Sequence, residues 1–134
     1  MPKSIMIVDD NECIRRSLRN LFNKNRDWTV CAEAADGRDA LVKAQEFHPE
    51  FVVLDFCMPG MDGLEAAPKL KEISPDSSIV MLTAFKDNFL EEKAYKAGVS
   101  WVLCKTTDKI TKVIDFARIL LRTDPASQPS DTRH

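Results

Sequence analysis

The chain is poor in residues that several common kinds of protein require. It has four glycines and four cysteines among 134 residues, and no two cysteines form a Cys-x-x-Cys pair. A zinc site or disulfide framework needs closer cysteine spacing and more partners, so we expect reduced thiols in a reducing compartment. No apolar run approaches the ~20 residues that cross a bilayer. The net charge of −2 gives no electrostatic reason to expect a nucleic acid or an anionic membrane as partner.

What is present is the composition of one globular domain. Apolar residues make up 44% of the chain and charged residues 30%, which are ordinary fractions for a soluble protein with a buried core. Met1 to Ser4 lead straight into an apolar run, which leaves no room for a signal peptide, so we expect a cytoplasmic protein. We predict one domain over residues 1–122 and a flexible tail or linker remnant over 123–134, where two prolines occur.

Four short apolar runs each end at a residue with a reactive head group. These are Ile5–Val8 before Asp9 and Asp10, Phe51–Leu54 before Asp55, Ile79–Leu82 before Thr83, and Val102–Cys104 before Lys105. Such runs, separated by helical patterns, are typical of buried parallel strands. Trp28–Ala34 is less apolar and is predicted to be an edge strand. The alternation predicts an α/β fold, a doubly wound five-stranded parallel sheet of order 2-1-3-4-5, flavodoxin-like.

Between the strands, apolar residues recur at helical spacing. The predicted helices begin after Asn11, after Asp36 and Gly37, near Leu64, near Phe89 and near Asp108, and the last runs to about Leu121. Pro68 has no N–H and clashes with the preceding helical turn, so we expect the third helix to start late or to kink.

The residues that follow the strands are expected to form one site, because the carboxyl ends of parallel strands lie on one edge of the sheet. Asp9, Asp10 and Asp55 would repel one another in a partly buried pocket. A hard cation relieves that repulsion, and Mg2+ suits carboxylate and carbonyl oxygens. The alternative is that two of these acids only cap a helix or a turn. The Thr83 hydroxyl and the Lys105 ammonium suit an anionic phosphoryl group, with Asp55 as the nucleophile.

Four motifs together resemble the receiver domain of bacterial two-component response regulators (CheY-like). They are Ile-Met-Ile-Val-Asp9-Asp10-Asn, Val-Val-Leu-Asp55-Phe-Cys-Met-Pro59-Gly60-Met-Asp62-Gly63, Met-Leu-Thr83-Ala84 and Gly98…Cys-Lys105. The resemblance covers about Lys3 to Leu121. Two features look closer to receivers of LuxR-type regulators. Thr106 follows the lysine, where many receivers have proline, and the sequence Gly-Leu-Glu-Ala opens the third helix.

The resemblance implies a chemistry and a set of partners. Asp55 would accept a phosphoryl group from a phosphohistidine of a histidine kinase or a histidine phosphotransfer protein. Asp10 and Asp55 would bind Mg2+ directly, Asp9 through water, and Cys57 through its backbone carbonyl. Thr83 would move toward the phosphoryl group and Lys105 would pair with it. The surface of the fourth helix, fifth strand and last helix would switch, and a homodimer through that surface is a further expectation.

Some positions depart from the receiver pattern. The aromatic switch position, three residues before the lysine, is Val102, and strand alternation places Trp101 on the opposite face as a packing residue. Cys57 and Phe85 occupy the two positions that line water access to the phosphoryl group. Neither orients water well, so we predict slow self-dephosphorylation, with a shorter phosphoryl lifetime in a Cys57→Asn, Phe85→Glu variant.

Other functions fit the sequence less well. A receiver fold that docks partners without being phosphorylated is the leading alternative, and the complete set of acids, Thr83 and Lys105 argues against it. A magnesium-dependent phosphatase needs a second Asp two residues after the nucleophile, where this chain has Cys57, so we expect no enzyme beyond its own phosphotransfer. A nucleotide site needs a glycine-rich first turn, and residues 9–12 are acidic instead. We find no DNA-binding helix-turn-helix, which predicts a stand-alone receiver or one that lacks its output domain.

Overall fold

The computed structural model describes residues 2–121, so the predicted tail over 123–134 lies outside the described residues. Strands and helices alternate along the chain. The strands are β1 (Lys3–Val8), β2 (Trp28–Ala34), β3 (Phe51–Asp55), β4 (Ser78–Thr83) and β5 (Trp101–Cys104). The helices are α1 (Glu12–Asn23), α2 (Gly37–Phe47), α3 (Gly63–Ile73), α4 (Asn88–Lys96) and α5 (Lys112–Leu120). Within the described part of the chain, every helix is too short or too polar to span a bilayer.

The five strands form one parallel sheet in the order β2-β1-β3-β4-β5, which confirms the predicted topology and the edge position of Trp28–Ala34. Strand β1 lies between β2 and β3, with Val8 opposite Ala34 on one side and Leu54 on the other. On the far side of β3, Asp55 lies opposite Leu82. The chain reverses its winding between β1 and β3, and that crevice at the carboxyl edge is where ligands bind in such sheets.

Alternate residues of each strand enter two separate cores. Met6, Leu54 and Met81 pack against α2, α3 and α4, whereas Ile7, Val53 and Leu82 pack against α1 and α5. Burial on both faces is why these strands are continuous apolar runs rather than alternating ones. At the sheet edge, the same alternation buries Val102 completely and leaves Trp101 41% exposed. The Trp101 ring stacks on Phe116 of α5, with centroids 5.0 Å apart.

Helix α3 corrects the expectation about Pro68. It is one continuous helix from Gly63 to Ile73, so Pro68 lies in its interior and the predicted late start is wrong. A capping box fixes the start upstream: Asp62 accepts from the Glu65 N–H, and the Glu65 side chain accepts from the Asp62 N–H. Two satisfied end groups of this kind offset the one helical bond that proline cannot form.

The last helix also starts later than predicted, at Lys112 rather than near Asp108. The Asp108 carboxylate accepts from the Cys104 N–H at 2.8 Å, and the Asp108 N–H donates to the Cys104 carbonyl at 2.9 Å. Asp108 therefore closes a turn after β5 instead of opening the helix, and its position between Thr107 and Lys109 in the sequence gave no sign of that role.

Candidate functional site

The three acids expected from the sequence do converge at the carboxyl edge of the sheet. One oxygen from each of Asp9, Asp10 and Asp55 lies within 4.8 Å of the other two. Asp9 directly follows β1 and is 1% exposed, Asp55 ends β3 and is 3% exposed, and Asp10 is exposed. The crevice therefore carries two buried carboxylates with a third at its mouth.

Lys105, which follows β5, reaches the two buried acids. Its Nζ lies 3.0 Å from Asp9 Oδ2 and 3.0 Å from Asp55 Oδ1. Burial acts to lower the pKa of Lys105, but its contacts with Asp9 and Asp55 outweigh burial and raise the pKa above its usual value. The lysine is thus a fixed positive charge at the site.

The Asp55 carboxyl is the strongly perturbed acid. Burial and the nearby negative charge of Asp9 raise its pKa from 3.8 to about 6, against the opposing effect of Lys105. One lysine therefore does not compensate the buried negative charge, although Asp55 is still mostly a carboxylate at neutral pH. Perturbation by burial and by a like charge in a cleft is typical of functional sites.

The loops around the acids are held by short hydrogen bonds. Asn11 caps α1, and its own N–H donates to Asp9 Oδ1 at 2.9 Å. Beside Asp55, the Gly63 N–H donates to the Phe56 carbonyl at 2.8 Å. A Cβ at Gly63 would come within 2.7 Å of the Asp55 carbonyl oxygen, so only glycine allows α3 to begin this close to the acceptor strand.

Thr83 lies at the same edge, but its hydroxyl does not point to the acids. Thr83 is 3% exposed, its Oγ1 donates to the Phe85 carbonyl at 3.2 Å, and the Phe85 N–H donates back to Oγ1 at 3.2 Å. The hydroxyl is therefore satisfied within its own loop. Cys57 is exposed in the loop after Asp55, and metal binding by its carbonyl remains a prediction.

The acid cluster fits a divalent cation. Lys105 Nζ approaches Asp9 Oδ2 without hydrogen-bond geometry, so this buried oxygen has no hydrogen-bond donor among the described residues. One ammonium shared by Asp9 and Asp55 leaves the cluster with a net negative charge, which a second cation would compensate. Oxygen ligands at the mouth of a crevice, one of them exposed, suit Mg2+, which keeps several waters.

Arg15 of α1 also contacts the site, which its place in the sequence did not indicate. Its Nη1 donates to the main-chain carbonyl of Asp9 at 2.6 Å, and its Nε lies 3.4 Å from Glu33 Oε1 on β2. The other Glu33 oxygen pairs with Arg19 at 2.6 Å. Charged residues on a helix are usually solvated, so the composition gave no sign of this contact. The one indication in the sequence is the i, i+4 spacing of two arginines that face an acid on an edge strand.

The fold and this set of residues define the class: a doubly wound receiver with an acid crevice and a lysine at its carboxyl edge. Residues 5–115 match the response regulator receiver domain family, and the chain belongs to that family. The resemblance stated from the motifs is confirmed, and so is the flavodoxin-like fold.

Response regulators of the LuxR family are among the relatives and solved structures that match. The chain is 35% identical over 107 residues to the response regulator protein VraR of Staphylococcus epidermidis, a match that covers 80% of this chain and 51% of that protein. It therefore spans about half the length of this curated relative. A LuxR-family two-component response regulator from Aurantimonas is 30% identical with a TM-score of 0.80, covering 90% of this chain and 86% of that one. A LuxR-family DNA-binding response regulator from Staphylococcus aureus is 26% identical with a TM-score of 0.79, covering 88% and 98%.

Proposed function

We propose that this receiver domain is a phosphorylated switch in two-component signalling, with Asp55 as the phosphoryl acceptor. One observation carries the proposal: Asp55 is a buried carboxylate that shares a 4.8 Å cluster with Asp9 and Asp10 and lies 3.0 Å from Lys105 Nζ. A nucleophile, a cation site and a fixed ammonium are the parts that phosphoryl transfer to a carboxylate requires. The donor is a histidine kinase or a histidine phosphotransfer protein.

In the transfer step, an Asp55 carboxylate oxygen forms a bond to phosphorus as the P–N bond of the donor phosphohistidine breaks. The electron pair of that bond stays on the imidazole nitrogen. Lys105 holds a positive charge beside the acceptor throughout, and Asp10, Asp55, Asp9 through water and the Cys57 carbonyl would hold Mg2+. When bound, the ion supplies positive charge that offsets both the acid cluster and the phosphoryl oxygens. The chain catalyses only its own phosphorylation and dephosphorylation.

The output follows from the loops that carry Thr83 and Lys105. A phosphoryl group on Asp55 offers the Thr83 hydroxyl an anionic acceptor in place of the Phe85 carbonyl. The exchange would move the loop before α4 and change the α4-β5-α5 surface, where Phe89 and Trp101 are exposed. A homodimer through this surface, a cytoplasmic location and the absence of nucleic-acid binding by this chain belong to the same proposal.

Intact-protein mass spectrometry after incubation with acetyl phosphate and Mg2+ tests the acceptor. We expect one phosphoryl group on the wild type, none on Asp55→Asn, and none in EDTA. Asp27→Asn is the matched control, because Asp27 precedes β2 at the opposite edge of the sheet; it should be modified like the wild type. Modification of Asp55→Asn to the wild-type extent would overturn the assignment of the site. No gain on the wild type from acetyl phosphate or from a phosphorylated histidine donor would overturn the function.

A further inference from the structure

An ion-pair network beside the acid cluster connects the backbone of the metal-binding loop to an edge strand. It consists of Arg15 and Arg19 on α1 and Glu33 on β2. Arg15 alone in this network also touches the site, because its Nη1 donates to the Asp9 carbonyl at 2.6 Å. Its side chain is 19% exposed and that of Glu33 is 25% exposed, so both are more sheltered than a typical surface pair.

The Asp9 carbonyl belongs to the peptide group that joins Asp9 to Asp10. The tilt of that peptide plane sets the directions in which both side chains leave the backbone. One guanidinium with several donors in a rigid fork holds the carbonyl and Glu33 together, which a flexible ammonium does less well. The Glu33 carboxylate is itself held on its other oxygen by Arg19 at 2.6 Å. The peptide plane is thereby braced against β2.

We propose that Arg15 is a positioning residue for Mg2+, acting through the Asp9 carbonyl and oriented by Glu33. The inference rests on the proposed function, since it concerns the cation site of that function. Residues behind the ligands that orient them commonly change metal affinity by about 10- to 100-fold when removed. Arg15 touches the backbone of one acid rather than a coordinating oxygen, which places the expected loss near the lower end.

Electrostatics alone predicts the opposite sign, which makes the proposal testable. Arg15 is a positive charge next to a cation site, so its removal by charge effects alone would strengthen Mg2+ binding. Loss of positioning weakens binding. Glu33 compensates the Arg15 charge at 3.4 Å, so the repulsion that Arg15 exerts is reduced while its hydrogen bond remains.

The experiment is calorimetric titration of Mg2+ into the unphosphorylated chain, for the wild type and for Arg15→Ala, Arg15→Lys and Arg16→Ala. We expect Arg15→Ala to weaken binding about 10-fold and Arg15→Lys to recover part of the loss. Arg16 is the matched control: it carries the same charge on the next residue, its side chain is 57% exposed, and within residues 2–121 its one ion pair is with Glu12. Arg16→Ala should stay within about twofold of the wild type because exposed charges are screened.

Two further variants separate positioning from general destabilisation. Arg19→Ala breaks the other Glu33 ion pair but leaves the Arg15 bond to Asp9 in place, so it should lower the midpoint of urea unfolding in EDTA and weaken Mg2+ binding clearly less than Arg15→Ala. Glu33→Gln should weaken Mg2+ binding in the wild-type background and have no effect in the Arg15→Ala background, because it acts through Arg15.

The outcomes distinguish failure of the inference from failure of the function. If the wild type binds Mg2+ and Arg15→Ala binds equally or more tightly, the positioning role is overturned and the receiver chemistry stands. If Arg19→Ala weakens binding as much as Arg15→Ala, the effect is structural and the role is again overturned. If the wild type neither binds Mg2+ nor accepts a phosphoryl group from acetyl phosphate, both the inference and the function are overturned.

Discussion

The loops at the carboxyl edge of the sheet form two halves that are built differently. The acid half comprises residues 9–11 and 55–63, at the ends of β1 and β3; the switch half comprises residues 83–87 and 105–111, at the ends of β4 and β5. In the acid half, Asn11 and Asp62 cap the helices that follow, and Asp62 forms a full capping box. In the switch half, Asp87 caps α4 by accepting from the Leu90 N–H at 2.8 Å, but α5 begins only at Lys112 and Thr111 makes no side-chain cap.

Under the proposed function, this difference in construction separates the residues that would hold the cation from those that would respond to phosphorylation. A cation site requires ligands in nearly fixed positions, and the acid half ties its backbone at helix caps, at Asp9 and at Gly63. A switch needs two arrangements of similar free energy. In the switch half, the Thr83 hydroxyl is hydrogen-bonded to the Phe85 backbone, and this bond can be exchanged for one to another acceptor. We therefore expect the acid half to stay in place and the switch half to rearrange on phosphorylation.

Lys105 is the one described side chain that bridges the halves by ion pairs, and its removal should have the largest effect on stability. Lys105→Met leaves Asp9 and Asp55 as buried carboxylates without a cation. Breaking a buried pair costs about 3–5 kcal/mol, and the 22% exposure of the lysine reduces that to about 2–3 kcal/mol at neutral pH. Urea unfolding in EDTA measures the loss. Lys109→Met, an exposed lysine of the same loop, should change stability by less than about 0.5 kcal/mol; equal effects would show that the bridge is not special.

The raised pKa of Asp55, in the acid half, predicts how the free energy of unfolding of the protein depends on pH. Because the folded pKa is about 6 and the usual value is 3.8, the folded state binds more protons than the unfolded chain between these values. Stability therefore falls as the pH rises through this range. Asp55→Asn removes that dependence, so it should gain on the order of 1–3 kcal/mol over the wild type at pH 7 and little at pH 4. Urea unfolding in EDTA across this range checks it, and parallel curves for the two proteins would contradict it.

Removal of the Thr83 hydroxyl, in the switch half, should have a smaller effect on the free energy of unfolding. Thr83→Val keeps the shape of this buried side chain but removes the acceptor of the Phe85 N–H, in a hydrogen bond that is only partly buried. We expect a loss of about 0.5–1.5 kcal/mol and faster hydrogen exchange at the Phe85 amide. Thr83→Ser keeps the hydroxyl and should retain most of the stability and the slow exchange. A valine variant with wild-type exchange at Phe85 would mean that the hydroxyl does not hold this loop.

The sequence predicted the strands and the acid half better than the switch half, for physical reasons. Strands buried on both faces must be apolar throughout, so their ends at Asp9, Asp55 and Thr83 could be identified directly. Convergence of the acids then followed from parallel topology. The rotamer of Thr83 did not follow, because a hydroxyl can choose between partners in space that periodicity does not reveal.

The start of α5 and the role of Arg15 were missed for a similar reason. Asp108 is an ordinary capping residue in sequence terms, and whether it caps the helix or closes the turn after β5 depends on the Cys104 N–H. Arg15 contacts Asp9 only because α1 and β2 bring Glu33 alongside it. The pairing of Arg15 with Glu33 is a long-range consequence of packing. The Asp108 bonds are local, but the sequence pattern does not decide between a helix cap and a turn. The domain boundary at residue 122 remains a prediction from composition.

The two helix starts give the smallest effects and the most direct test of the difference between the halves. Asp62→Ala removes the side-chain acceptor of the capping box, the Oδ1 that accepts from the Glu65 N–H, and should lower the free energy of unfolding by about 1 kcal/mol. At Thr111 the backbone is already helical, with φ −64° and ψ −18°, and the side chain caps nothing, so Thr111→Ala should change it by less than about 0.5 kcal/mol. Urea unfolding of both variants in EDTA gives the difference directly. If Thr111→Ala proves as damaging as Asp62→Ala, the start of α5 is held as firmly as that of α3. Rearrangement of the switch half would then have to come from the Thr83 loop alone.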